Sequence, residues 1–401
     1  MKAKKNIFLI ISLFYILYTF FPLFADVFNI PVWLPSLTSF VIMLALFPKA
    51  FANKTFYWFL AYAFMLAFYL LLGRPLSIGI GSVAANKKII IEFAFILPTI
   101  SIFSILKYLD DLDLTRKLMN WSIGILFASF IVAVPLIQRY ESIRAALSEQ
   151  DESISIPGLP SYSLMHAYTL FLPVLCYGTK ALQGRKRWLA LVGLLVLCFV
   201  VYDTFVTTSL LLMIAMLIFT FFYSDKSNVL FFIVFGIIAI VVYILYKAGA
   251  FISLIDWMMP AFEGTPVEFK LNDFKDSMMQ GHITGGSITG RMDYHDVSID
   301  AFFRNPIFGS SVAGGHSTLM DRLGGMGLVV GLPFIMIFAS FIQNMLKKFE
   351  TRKAKVFFWV GIVVGIVFLY EKGNWGYQSW LMYMVLMPRG ILVFERKSKE
   401  L

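Results

Sequence analysis

LGGMGLVVGLPFIMIFASFIQ, residues 323–343, decides the fold class of this chain. It holds no charged side chain, and at 1.5 Å per residue it is long enough to cross the hydrocarbon of a bilayer as one helix. Comparable apolar runs fall at 6–24, 30–47, 56–72, 89–106, 118–138, 163–179, 188–203, 205–223, 229–247, 356–370 and 377–394, so about twelve spans are expected. The 401 residues are 59% apolar and their mean hydropathy is +0.79, more than an ordinary soluble core can bury. An all-α, polytopic membrane protein is therefore predicted. Its organisation is nine helices over 1–247, a large outer loop over 248–322, and three helices with a basic tail over 323–401. The first run is read as a retained helix, since no small-residue cleavage site follows it.

Charge predicts the orientation. If the N-terminus and every second connection face the cytoplasm, those segments carry Lys2, Lys4, Lys5, Lys49, Lys54, Lys107, Arg116, Lys117, Lys180, Arg185, Lys186, Arg187, Lys226 and the run from Lys347 to Lys355. The outer segments are longer and less basic, as the positive-inside rule requires. The net charge of +10 then reflects membrane orientation, and no nucleic-acid partner is needed to explain it. Cys176 and Cys198 fall inside predicted spans and read as small apolar side chains. Pro98, Pro135 and Pro173 fall inside spans four to six, where kinks are expected.

The polar residues gather outside. Segment 248–322 holds five basic and nine acidic residues and enough aromatic side chains to pack. The four histidines, His166, His282, His295 and His316, all fall on or near the outer face. Residues 288–304 read as a helix with Tyr294, Val297 and Ala301 on one face, an Asp300–Arg304 pair, and Arg291 one turn before His295. Asn305-Pro306 ends it, and Ser317 or Thr318 caps the next helix.

Each candidate group has a second reading. Arg291 suits a diphosphate, or an ion pair with Asp293 or Asp296. His316 suits a general base or a phosphate donor, or a backbone-bonded loop histidine. Asp321 stabilises the start of its helix or orients His316. Arg322 joins a substrate site or snorkels to the interface. Arg139 and Arg144 form a cationic rim for a lipid head group or anchor the interface. Glu92 pairs with Lys88. Asp110-Asp111-Leu112-Asp113 contains an Asp-x-Asp pattern known from metal-binding sugar transferases, but its cytoplasmic loop is too short for a nucleotide-sugar domain. No metal site or phosphate loop is expected.

Gly290-Arg291, Asn305-Pro306-Ile307-Phe308-Gly309, Gly315-His316-Ser317 and Gly324-Gly325-Met326-Gly327, in this order, resemble the motif of the bacterial O-antigen polymerase and ligase superfamily. The motif covers about a tenth of the chain. The resemblance implies a membrane glycosyltransferase of the C type in a bacterial inner membrane, working at the periplasmic face without cofactor or metal. Its partners would be undecaprenyl-diphosphate-linked oligosaccharides, the bilayer and a chain-length regulator. Arg291 would stabilise the diphosphate and His316 would accept the acceptor proton, with Arg139, Arg144, His295, Asp321 and Arg322 in the substrate-binding set. Gly-Gly-His-Ser-x-x-x-Asp looks more like a polymerase than a ligase. Relatives carry an arginine between two middle spans; the matching stretch here, Thr204 to Ser209, has none. The rival from another class is a flippase or carrier, which would place charges deep in several spans.

Overall fold

The computed structural model describes residues 1–28, 30–31, 33–72, 77–78, 84–139, 161–204, 206–224, 250–264, 268, 271–272, 275, 289–371 and 375–400. They are overwhelmingly helical: α1 (Lys2–Phe20), α2 (Pro22–Val27), α3 (Trp33–Leu46), α4 (Lys54–Leu71), α5 (Ala84–Leu109), α6 (Leu112–Arg139), α7 (Tyr162–Ala181), α8 (Gly184–Asp203), α9 (Thr207–Phe222), α10 (Ala250–Met258), α11 (Thr289–Arg304), α12 (Thr318–Leu346), α13 (Arg352–Glu371), α14 (Tyr377–Leu381) and α15 (Met387–Lys399). A π turn, Met382–Leu386, joins the last two. One departure from an all-α chain is a parallel pairing of two residues each, β1 (Ser77–Ile78) with β2 (Val312–Ala313).

Helices α1, α6, α12 and α13 are long and apolar enough to cross a membrane. The run at 229–247 lies outside the described residues, and the other apolar runs fall on helices. Pro98, Pro135 and Pro173 sit inside α5, α6 and α7. At the centre stands α7, buried at every position from Leu164 to Thr179. A helix buried all round has no solvent face, and its polar side chains His166, Thr169 and Thr179 are buried with the rest. It packs against α8, α9, α13, α14 and α15.

Helices α4 and α12 pack in opposite directions, with Thr55 beside Ser340 and Asn344 at one end and Tyr69 on Gly325 at the other, and polar contacts collect at these two ends. One end is basic. There Lys5 meets Asp111 at 2.5 Å and Lys348 meets Asp110 at 2.7 Å. Arg116 meets Glu400, and Arg396 and Lys399 both meet Glu350. Asp111 also accepts the Leu114 N–H at 3.0 Å. That bond first, and Lys5 second, hold its carboxyl below the usual carboxylate range. The Asp110-Asp111-Leu112-Asp113 stretch thus supplies a helix cap and three ion pairs, the third from Asp113 to Arg116 at 3.8 Å.

Asn53 starts α4 at the same end. Its Oδ1 accepts the Phe56 N–H at 3.1 Å, and its Nδ2 donates to Ala50 O and Ser104 Oγ, each at 2.9 Å. Replacing Asn53 by Ala removes a cap and a bond between helices, a loss of roughly 2 kcal/mol. A thermal melt in detergent should show a lower Tm; an unchanged Tm would refute the assignment.

Candidate functional site at the histidine end

The opposite end is built by α11, the turn after it, and the start of α12. Asn305-Pro306 closes α11 as the backbone rule for residues before proline requires: Asn305 Oδ1 accepts the Phe308 N–H and Asn305 O accepts the Gly309 N–H. The following loop docks into a break in α12. Gly327 there has φ 65° and ψ −167°, outside the helical region. The break frees backbone groups of α12, and the loop takes them up. Ser310 N–H and Ser311 N–H donate to Gly324 O and Gly325 O, both at 2.9 Å. Leu328 N–H and Val329 N–H donate to Pro306 O at 2.8 Å and Ile307 O at 3.1 Å. Tyr69 at the end of α4 adds its hydroxyl to Gly325 O at 2.7 Å. This interlock accounts for Asn-Pro-x-x-Gly and Gly-Gly-x-Gly as one packing unit.

Asp321 holds the loop from inside. Its Oδ1 accepts from Ser298 Oγ at 2.7 Å and Gly315 N–H at 3.1 Å, and its Oδ2 accepts from Ser317 N–H at 3.2 Å. The carboxylate therefore grips the residue on each side of His316. It orients His316 through the backbone. Ser317 caps α12 by accepting the Met320 N–H at 3.0 Å. The His316 ring, half-buried, packs at a tilt of 35° against Tyr294 with centroids 4.6 Å apart.

The buried face of α11 is His295, Ser298 and Ala301. Tyr294 and Val297, expected to share a face with Ala301, are exposed while Ala301 is buried. Ser298 wins the inner position because its hydroxyl bonds Asp321 and accepts the Gly314 N–H at 2.9 Å. No ion pair joins Asp300 and Arg304 among the described residues. His295 stacks on Tyr370 of α13, centroids 4.6 Å apart, and neither ring nitrogen has a hydrogen-bond partner among the described residues. Two residues earlier on α13, Phe368 packs on His166 of α7 at 4.6 Å. The end of α13 thus stands between His166 and His295.

Arg291 lies in α11 one turn before His295, and its side chain lies outside the described residues. Arg144, Arg74, His282, Lys372 and the side chains of Lys88 and Glu92 also lie outside them. Arg139 ends α6 with an exposed side chain. Its neighbour Gln138 donates to Asp203 Oδ1 at 3.3 Å, so the end of α6 lies beside the α8–α9 turn. Arg322 does not snorkel. It is buried, with Nε on Tyr62 Oη at 3.0 Å, a terminal nitrogen on Thr318 O, and the guanidinium 4.5 Å from the Phe334 ring centroid. Away from water, a guanidinium needs such partners, and a hydroxyl, a carbonyl and a ring face supply them.

Ser298, Tyr69 and Tyr370 were not candidates from sequence. Only Ser298 carried a signal, three residues after His295 on the same helical face. Asp321→Asn is expected to damage the loop, though less than Asp321→Ala: its amide oxygen can still accept from Ser298 and Gly315, but its NH2 would face the Ser317 N–H. Each orphaned donor costs about 1–3 kcal/mol. Faster proteolysis of the 305–317 loop in both variants is the readout; a native cleavage rate in Asp321→Asn would overturn the clamp. Comparison with known protein families and with curated proteins finds no match to this chain.

Proposed function

We propose that this chain is a polysaccharide polymerase, of O-antigen or capsule type, joining undecaprenyl-diphosphate-linked repeat units at the periplasmic face of a bacterial inner membrane. The observation that carries this reading is the Asp321 clamp, which fixes the backbone on both sides of His316 at the end of the bundle opposite the basic end. The motif resemblance agrees with it. By the positive-inside rule the basic end is cytoplasmic, so the histidine end faces outward, with twelve spans and the 248–322 segment as the outer loop.

In this reading a hydroxyl of the acceptor sugar attacks the anomeric carbon of the donor glycan. The bond from that carbon to the diphosphate oxygen breaks, and undecaprenyl diphosphate departs with the electron pair. His316 takes the hydroxyl proton. Arg291 stabilises the charge that grows on the diphosphate. Arg139 is the candidate second cation, since α6 ends beside the turn where relatives carry their arginine. The reaction in this form uses neither cofactor nor metal.

The test is reconstitution of the purified chain in vesicles with a lipid-linked repeat unit. A ladder of longer lipid-linked glycans is expected. Transfer to added lipid A–core without a ladder would instead assign a ligase. Movement of the substrate across the vesicle with no new glycosidic bond would assign a transporter.

A further inference from the structure

A pocket of ≈ 430 Å³ opens at the basic end, between the start of α4, the end of α5 and the end of α12, far from His316. Lys49, Lys54, Lys107 and Lys347 line it, and no carboxylate does. None of these lysines has an acidic partner among the described residues. The nearby acids are taken: Asp110 by Lys348 and Asp111 by Lys5. Burial first, and the neighbouring Lys347, Lys348 and Lys54 after it, hold the Lys107 ammonium below the usual lysine range. Like charges gathered in a concave site without a counter-charge are unfavourable alone and become favourable with an anion.

The rim says which anion. Tyr57 and Tyr108 line the pocket and are 56% and 47% exposed. Tyr57 begins an exposed apolar stripe along α4, continued by Leu60, Phe64, Phe68 and Leu71 at spacings of three and four. The stripe leads from the lysines toward the other end of the bundle. A free phosphate has no use for such a stripe, whereas a lipid lays its acyl chain along it and its head group among the lysines.

We propose that this pocket binds the phosphate head group of an anionic membrane lipid, with an acyl chain on the α4 stripe. The site is separate from the proposed glycosyl-transfer site and does not depend on that reading.

The test uses the full chain in phosphatidylcholine nanodiscs doped with phosphatidylglycerol, and native mass spectrometry to count retained lipid. Wild type should retain phosphatidylglycerol over phosphatidylcholine. The triple variant Lys54→Gln, Lys107→Gln, Lys347→Gln should bind it roughly a hundredfold more weakly, at about fivefold per lysine. The matching triple arginine variant should retain it, and the single exposed change Lys347→Gln should lose about fivefold. Equal phosphatidylglycerol retention by wild type and the glutamine triple would overturn the proposal. So would saturable binding of inorganic phosphate with no preference between the two lipids, which would assign a soluble anion.

Discussion

A His316→Ala chain is expected to reach the membrane at wild-type abundance and to make no long polymer. The ring is half-buried and leans on Tyr294, so its loss costs little folding energy, within about 0.5–1 kcal/mol. The clamp on its neighbours acts through the Gly315 and Ser317 backbone and survives the change. On the proposed reading the change removes the base, worth roughly 10²–10⁴ in rate. Arg291→Ala should lower the rate by a comparable roughly 10²–10³-fold, and Arg291→Lys should restore only part of it, because a point charge does not reproduce two parallel N–H bonds to phosphate. Glycan length in membranes of a complemented strain is the measurement. Normal long polymer from both alanine variants, at normal protein levels, would sink the assignment. If the double variant loses no more than either single one, the two groups act on the same transition state.

The helical architecture was legible because the apolar runs repeat at membrane length, and a segment that apolar has few other ways to satisfy its backbone. The end of α11 at Asn305-Pro306 and the Ser317 cap were legible because each is settled within a few residues. Three features were not. The inner face of α11 is set by Ser298 reaching Asp321, 23 residues on, and local periodicity favoured the larger Tyr294 and Val297. Arg322 turns inward because Tyr62, from a distant helix, supplies an acceptor. The break in α12 looks in sequence like ordinary small residues in a span. Its cause is backbone pairing with Pro306 and Ile307, and no short window contains it. Of the candidate site, the sequence named His316, Asp321 and His295 at one end of the bundle. It read Asp321 as stabilising the start of its helix or orienting His316; the carboxylate reaches the two amides flanking that histidine, a backbone route that side-chain spacing does not reveal.

The break also yields the largest expected effect on folding. Gly327→Ala should prevent the chain from accumulating in the membrane. At φ 65° and ψ −167° the backbone is in a region nearly closed to side chains, and that strain alone is worth about 1–3 kcal/mol. A Cβ there would overlap Ile307 O, the acceptor that holds Val329 N–H, so relieving the overlap breaks the interlock. Gly309, with φ 71°, meets the same interface from the loop side, where a Cβ would overlap the Gly325 carbonyl. Neither obstacle is the far end of a flexible side chain, so neither can give way cheaply. Strain, overlap and orphaned amides together amount to roughly 3–5 kcal/mol, comparable to the whole margin of many folded domains. Gly124→Ala is the control: nothing lies within 4 Å of a Cβ there, and it should be silent. Membrane abundance and detergent melting of the three variants separate the outcomes. A Gly327→Ala protein with the abundance and Tm of Gly124→Ala would show that the α12 break is not built as described. Loss of folding in Gly327→Ala and Gly309→Ala, beside a folded but inactive His316→Ala, would divide the segment from Gly290 to Gly327 into a glycine scaffold and the few polar groups it presents.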